Sequence, residues 1–194
     1  YAYFNYYINN EDSPTFASRG WKFNLNGKYI MPVIKMDDGS MMKNSIVLKA
    51  DVSGSIAIGK RHSLKIGATL GSSLLQEEPP LSYQFFVGGQ SNMNYFDNIR
   101  SFDGLRFTQL YGDHIAIAKM SWQYNFYKNL YAIANVNGGY INSDYNSWFS
   151  DKSFVFGCGL TFGIETMAGP IELSLMGSNR CSDLVGFLNV GYWF

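Results

Sequence analysis

Residues 154–165 read Phe-Val-Phe-Gly-Cys-Gly-Leu-Thr-Phe-Gly-Ile-Glu, and their period decides the fold. Phe154, Phe156, Cys158, Leu160, Phe162 and Ile164 share one parity, while Gly157, Gly159, Thr161, Gly163 and Glu165 hold the other. Alternate side chains of a strand point to opposite faces, whereas a helix repeats its apolar positions every three to four residues. The stretch is therefore a strand with one apolar face and one face of small and polar groups.

The same period runs outward in both directions. Toward the C-terminus it continues in Ile171, Leu173 and Leu175, then in Leu188, Val190, Tyr192 and Phe194. Toward the N-terminus it appears in Leu130, Ala132, Ala134 and Val136, and in Ala116, Ala118, Met120, Trp122, Tyr124 and Phe126. Before these come Leu64 to Leu70, Ile46 to Ile58, Trp21 to Tyr29, and an opening run of Ala2, Phe4, Tyr6 and Ile8. That makes nine strands, most of them about 9–13 residues long, against the ~5–6 of soluble strands and the ~9–11 needed to cross a bilayer at a tilt. The polar parity mixes Asn, Ser, Thr, Gly, Lys and Gln, a composition suited to a wet lumen.

Connections fall into two kinds. Short ones occur at Lys60-Arg61-His62, Tyr127-Lys128-Asn129 and Ala168-Gly169-Pro170, and longer ones at 10–20, 32–44, 76–112, 143–153 and 177–184. Short turns on one side and long loops on the other are the habit of outer-membrane barrels. A soluble barrel or sandwich also alternates, but it places charge on its outer parity. Here charged residues are 15% of the chain, against ~25% in ordinary soluble domains. No apolar stretch approaches the ~18 residues of a membrane helix. A strand face turned to lipid explains the deficit, because a Lys or Arg at the bilayer midplane costs roughly 2–4 kcal/mol. The reading is an all-β, transmembrane antiparallel β-barrel in the bacterial outer membrane.

Composition and motifs exclude several functions. Lys+Arg and Asp+Glu are 15 each, so there is no basic field for nucleic acid. Cys158 and Cys181 cannot build a disulfide framework or a thiolate metal site, and His62 and His114 stand apart without companions at ligand spacing. Cys158 reads as a lipid-facing residue and Cys181 as a loop residue. No G-x-S-x-G elbow occurs. Asp103-Gly104 reads as a turn, and Glu77-Glu78 before Pro79-Pro80 as a loop entry. No catalytic constellation, metal site or cofactor is expected in this chain.

The C-terminal run, with Leu188, Val190, Tyr192 and Phe194 in alternation, resembles the terminal recognition strand that the outer-membrane insertion machinery reads. Further motifs follow one another in a familiar order. Pro14 to Tyr29 (PTFASRGWKFNLNGKY) resembles a strand entry of the form P-T-x-G-x-x-x-x-L-x-G. Phe85-Phe86-Val87-Gly88-Gly89 resembles the aromatic-x-x-Gly-Gly that precedes a long extracellular loop, and Ile99-Arg100-Ser101-Phe102 resembles that loop's Val-Arg-Gly-Phe tip. Phe156 to Gly177, with Met167-Ala168-Gly169-Pro170, resembles the penultimate hairpin. Together these resemble the bacterial surface antigen superfamily, which includes BamA-type insertases, two-partner-secretion transporters and barrels fused to patatin-like phospholipases.

The resemblance covers nearly the whole chain and implies a single barrel domain over 1–194, the last nine strands of a sixteen-stranded barrel. The loop at 76–112 would fold inward and plug the lumen. It also implies that Arg100 reaches a lumen partner, and the aligned position is Asn137 in Asn137-Gly138-Gly139, where the family has Asp. Asn137 can accept a bond from the guanidinium but lacks the charge, and Ser101 replaces the tip glycine. An even strand count within this chain would instead need 81–87 or 105–112 to form another spanning strand.

Function follows as an expectation: assisting membrane-protein insertion or polypeptide passage. Two alternatives keep the fold. One is the membrane anchor and dimerisation unit of a patatin-like lipolytic enzyme, and the other is a small passive barrel. Expected partners are outer-membrane lipid, the insertion machinery at the C-terminal strand, polypeptide substrates, and a second copy in the anchor arrangement, with no nucleic acid.

Overall fold

The computed structural model describes residues 1–31, 44–74, 81–90 and 97–191. Nine strands form one antiparallel meander: β1 (Ala2–Asn9), β2 (Gly20–Ile30), β3 (Ser45–Ala57), β4 (His62–Leu74), β8 (His114–Tyr127), β9 (Leu130–Asn142), β10 (Phe154–Thr166), β11 (Gly169–Ser178) and β12 (Cys181–Val190). Between β4 and β8 the chain forms a separate three-stranded sheet of β5 (Phe85–Val87), β6 (Ile99–Arg100) and β7 (Leu110–Gly112), with β5 in the centre. So 81–87 and 105–112 add no spanning strand to the large sheet. The nine runs of alternation are the nine strands.

Parity separates the two faces of the wall as lipid and lumen require. Leu48, Val52 and Ile56 on β3, Phe156, Leu160 and Phe162 on β10, and Leu173 and Leu175 on β11 are exposed large apolar residues. Their neighbours Lys49, Ser55, Asn135, Asn137, Thr161 and Ser174 are buried. This inversion, polar groups inside and apolar outside, is the mark of a barrel wall in a membrane. Cys158 is exposed among the outward residues. Among the described residues β1 and β12 do not pair, so the wall is open between them.

Two connections differ from the sequence expectation, the first because of the strict alternation of an antiparallel meander and the second because the strands extend into it. Each successive connection must lie at the opposite end of the wall. Residues 10–19, between β1 and β2, therefore lie at the end of the short turns, although they are long. The expected loop at 177–184 is a two-residue turn, Asn179-Arg180, because β11 runs to Ser178 and β12 begins at Cys181. Cys181 is thus a strand residue rather than a loop residue. Glu77 to Pro80, most of 32–44, and Tyr192 and Phe194 lie outside the described residues.

Near the long-loop end the lumen face turns apolar. Ile30, Val47, Ile115, Ile117, Ile141 and Val155 project inward and pack against Phe85, Val87, Phe102 and Leu105 of the β5–β7 insert. Phe85 and Phe102 are almost wholly buried. Burying one such side chain contributes roughly 1.5–3 kcal/mol, so this dry cluster holds the insert inside the wall.

Candidate lumen site

The insert crosses the inner face of the wall from β3 to β11. At one end, Arg100 donates from Nε to Asp51 Oδ1 at 3.2 Å and from Nη2 to Asp51 Oδ2 at 3.0 Å. Asp51 also accepts from Thr69 on β4 at 2.7 Å and lies 3.5 Å from the Lys49 ammonium. Lys49, only 4% exposed, donates to the Asp97 carbonyl at 3.0 Å, and the Asp97 carboxylate pairs with Lys28 on β2 at 3.1 Å. Opposite charges alternate through this cluster, which offsets the cost of burying them.

In the centre sits Asp103, fully buried. Its carboxylate accepts from Asn137 Nδ2 on β9 at 2.9 Å and pairs with Lys119 on β8 at 3.2 Å. At the far end, Gln90 Oε1 accepts from Ser174 on β11 at 2.8 Å, and the Gly104 carbonyl accepts from Ser178 at 2.8 Å. Two glycines make the close approach feasible. A Cβ on Gly157 of β10 would strike the Asp103 carbonyl, and Gly104 itself holds φ +83° against the backbone of Gly177.

The sequence-derived site residues are placed as follows. Ile99 and Arg100 form β6, Ser101 lines the lumen cavity, and Phe102 is in the dry cluster. Arg100 and Asn137 are not brought together as partners. The guanidinium takes the carboxylate of Asp51, whereas Asn137 donates to the insert's Asp103, and Asn137 Oδ1 has no partner among the described residues. A full charge outcompetes a neutral amide for a guanidinium, which explains the choice. Gly139 packs against the backbone of Ala116 and Ile117 on β8. Leu188 and Val190 lie exposed on the outer face of β12. Asp51 was missed, although a signal existed: Lys49-x-Asp51 puts two opposite charges on the lumen parity of one strand.

A second inward segment closes the short-turn end. In residues 10–19, Phe16 and Ala17 are buried, and the Phe16 ring stacks on Tyr131 of β9 at 4.2 Å. Glu11 pairs with Lys65 of β4 at 2.7 Å, and Gln123 of β8 donates to the Phe16 carbonyl at 3.3 Å. Asp12 folds the segment on itself, accepting from Ser18 N at 2.8 Å, Ser18 Oγ at 2.6 Å and Arg19 N at 3.1 Å. Partial burial opposes ionisation of Asp12, but the Ser18 hydroxyl and the backbone N–H groups of Arg19 and Ser18 outweigh it and hold the carboxyl below its ordinary range.

Between the two segments remains a lumen cavity of about 570 Å³ lined by Lys22, Asp51, Lys65, Arg100, Lys119 and Glu172, among others. Among the described residues no three His, Cys, Asp or Glu side chains gather at metal-binding distance.

A strand wall with apolar outside and polar inside, and with a long insert folded into the lumen, defines the class as a plugged outer-membrane-type β-barrel. The family model of the OMP85 superfamily matches residues 1–194, and the chain belongs to that superfamily. No curated protein matches the chain.

Proposed function

We propose that this barrel works in the bacterial outer membrane in the insertion of membrane proteins or the passage of polypeptides, with its lumen closed at rest by the insert that holds residues 85–90 and 97–112. Membership of the OMP85 superfamily supports the class of activity. The observation that carries the gating is the insert's anchorage to both flanks of the wall, at Asp51 through Arg100 and at Ser174 through Gln90. A passive pore has no use for a buried, charge-paired obstruction of its own lumen.

Among the described residues the edges of β1 and β12 are unpaired, and since hydrocarbon leaves no solvent to satisfy an open strand edge, these nine strands are proposed to be part of a larger closed wall. The β12 strand with Leu188 and Val190 is the segment proposed to be offered to the insertion machinery. Asn137 serves as a lumen partner of the insert through Asp103 rather than through Arg100.

The test is reconstitution of the full protein in liposomes with an unfolded outer-membrane barrel as substrate. Acceleration of substrate insertion, lost on Arg100→Ala, supports the proposal. No acceleration by the wild-type protein contradicts it and favours an anchoring role.

A further inference from the structure

At the short-turn end, the hairpins β3–β4 and β8–β9 lie side by side, because β4 pairs with β8 and Asn125 N donates to the Arg61 carbonyl at 2.8 Å. Their turns carry Lys60, Arg61 and Lys128, all exposed, and no acidic residue occurs in 58–62 or 126–130. Among the described residues none of the three cations has a carboxylate within ion-pair distance, whereas Lys28, Lys49, Lys65 and Lys119 in the lumen each do. The acids at this end are engaged elsewhere: Glu165 on β10 accepts from the lumen-facing Tyr131 hydroxyl at 3.3 Å, Glu11 pairs with Lys65, and Asp12 accepts from Ser18 and Arg19.

Immediately inward of these cations on the outer face is an aromatic band. His62 stacks on Tyr124 at 4.6 Å and 14° and lies parallel to Trp122 at 5.6 Å and 3°. Lys128 sits over the Tyr127 ring at 5.7 Å. One step deeper the surface is purely apolar, with Leu64 beside Trp122 and Ile66 beside Met120. The order along the wall is therefore cation, aromatic, aliphatic. It matches the order phosphate, glycerol region and acyl chain in a lipid leaflet, with amphipathic rings at head-group depth.

We propose that Lys60, Arg61 and Lys128 form a binding site for the head group of an anionic phospholipid, whose acyl chains lie along Leu64, Ile66 and Met120. The guanidinium of Arg61 offers paired donors to the phosphate, and the two ammonium groups supply the remaining charge. The aromatic band of His62, Trp122 and Tyr124 fixes the depth at which that phosphate sits. In barrels with short periplasmic turns this face meets the phospholipid leaflet. The site does not depend on what the lumen passes.

The test uses the full protein in phosphatidylcholine vesicles containing spin-labelled phosphatidylglycerol or spin-labelled phosphatidylcholine, reading the fraction of motionally restricted label. The wild type should prefer phosphatidylglycerol by about fivefold or more, the order expected of cations beside anionic lipid. Lys60→Gln, Arg61→Gln and Lys128→Gln combined should lower the ratio toward one. Lys152→Gln with Arg180→Gln, at the opposite end of the wall, should leave it unchanged. On the wild type alone, about 1 M salt should weaken the preference. Equal restriction of the two labels by the wild type, a preference retained in the triple variant or at high salt, or an equal loss in the opposite-end variant would each overturn the site.

Discussion

The guanidinium of Arg100 and the carboxylate of Asp51 meet two atoms to two, at 3.2 Å and 3.0 Å, and so tie the tip of the lumen insert to strand β3. Both side chains are largely buried, at 17% and 24% exposure. Removing Asp51 leaves the Arg100 guanidinium without its carboxylate, and removing Arg100 leaves Asp51 only the more distant Lys49 ammonium at 3.5 Å. Arg100→Ala and Asp51→Ala should each destabilise the barrel, and a double-mutant cycle in denaturant should give a coupling of about 1–3 kcal/mol. Asn137→Ala in the Arg100→Ala background should be additive, because Asn137 bonds Asp103 instead.

Asp103 is the second fastening. Asp103→Ala should cost about 2–4 kcal/mol, because it strands the Asn137 amide and removes the counter-charge of Lys119. Gly157→Ala alters no charge yet should loosen the same place, since its methyl would displace the Asp103 carbonyl. Hydrogen exchange over residues 102–105 should rise in both variants, while β1 and β2 exchange as before.

Phe16 closes the short-turn end by packing rather than by charge. Phe16→Ala should cost about 3–5 kcal/mol for a buried ring and open a path beside Tyr131. Gly163→Ala should push the ring away, since a Cβ there would come within 2.6 Å of it. Single-channel conductance should rise in both variants, and more so when Arg100→Ala is added, because the two segments obstruct the lumen at different depths.

The fold of residues 10–19 should depend on pH through Asp12. The carboxyl is held below its ordinary range in the folded chain. Its contribution is therefore present above the unfolded value near ~3.9 and is lost as pH falls through the lower folded value. Proteolysis of 10–19 by an acid-active protease should accelerate below pH ~4 in the wild type. Asp12→Asn should make that rate insensitive to pH in this window.

Much of this wall could be read from parity. Phe154 to Ile164 alternate because lipid and lumen demand opposite chemistry on one strand, and that demand is local. The inward segments were harder, because their partners are distant. Arg100 and Asp51 stand 49 residues apart, and the resemblance that aligns Asn137 carries no sign of the carboxylate on β3. Length alone groups 10–20 with the long loops, whereas strict alternation of ends assigns it to the other side. The apolar run of Val47, Ile115, Ile117 and Val155 breaks the rule of a polar lumen, and it does so where the insert packs. The strands announced themselves; their contents did not.

The most direct measurement of the occupied lumen is a cross-link in intact outer membranes between the insert and the far wall. In a background with Cys158→Ser and Cys181→Ser, Gln90→Cys and Ser174→Cys replace two side chains that bond at 2.8 Å. A short bifunctional thiol reagent should join them in high yield, giving a faster-migrating species that neither single variant forms. Absence of that species, with both thiols shown to be reactive after unfolding, would contradict an insert lying across the lumen.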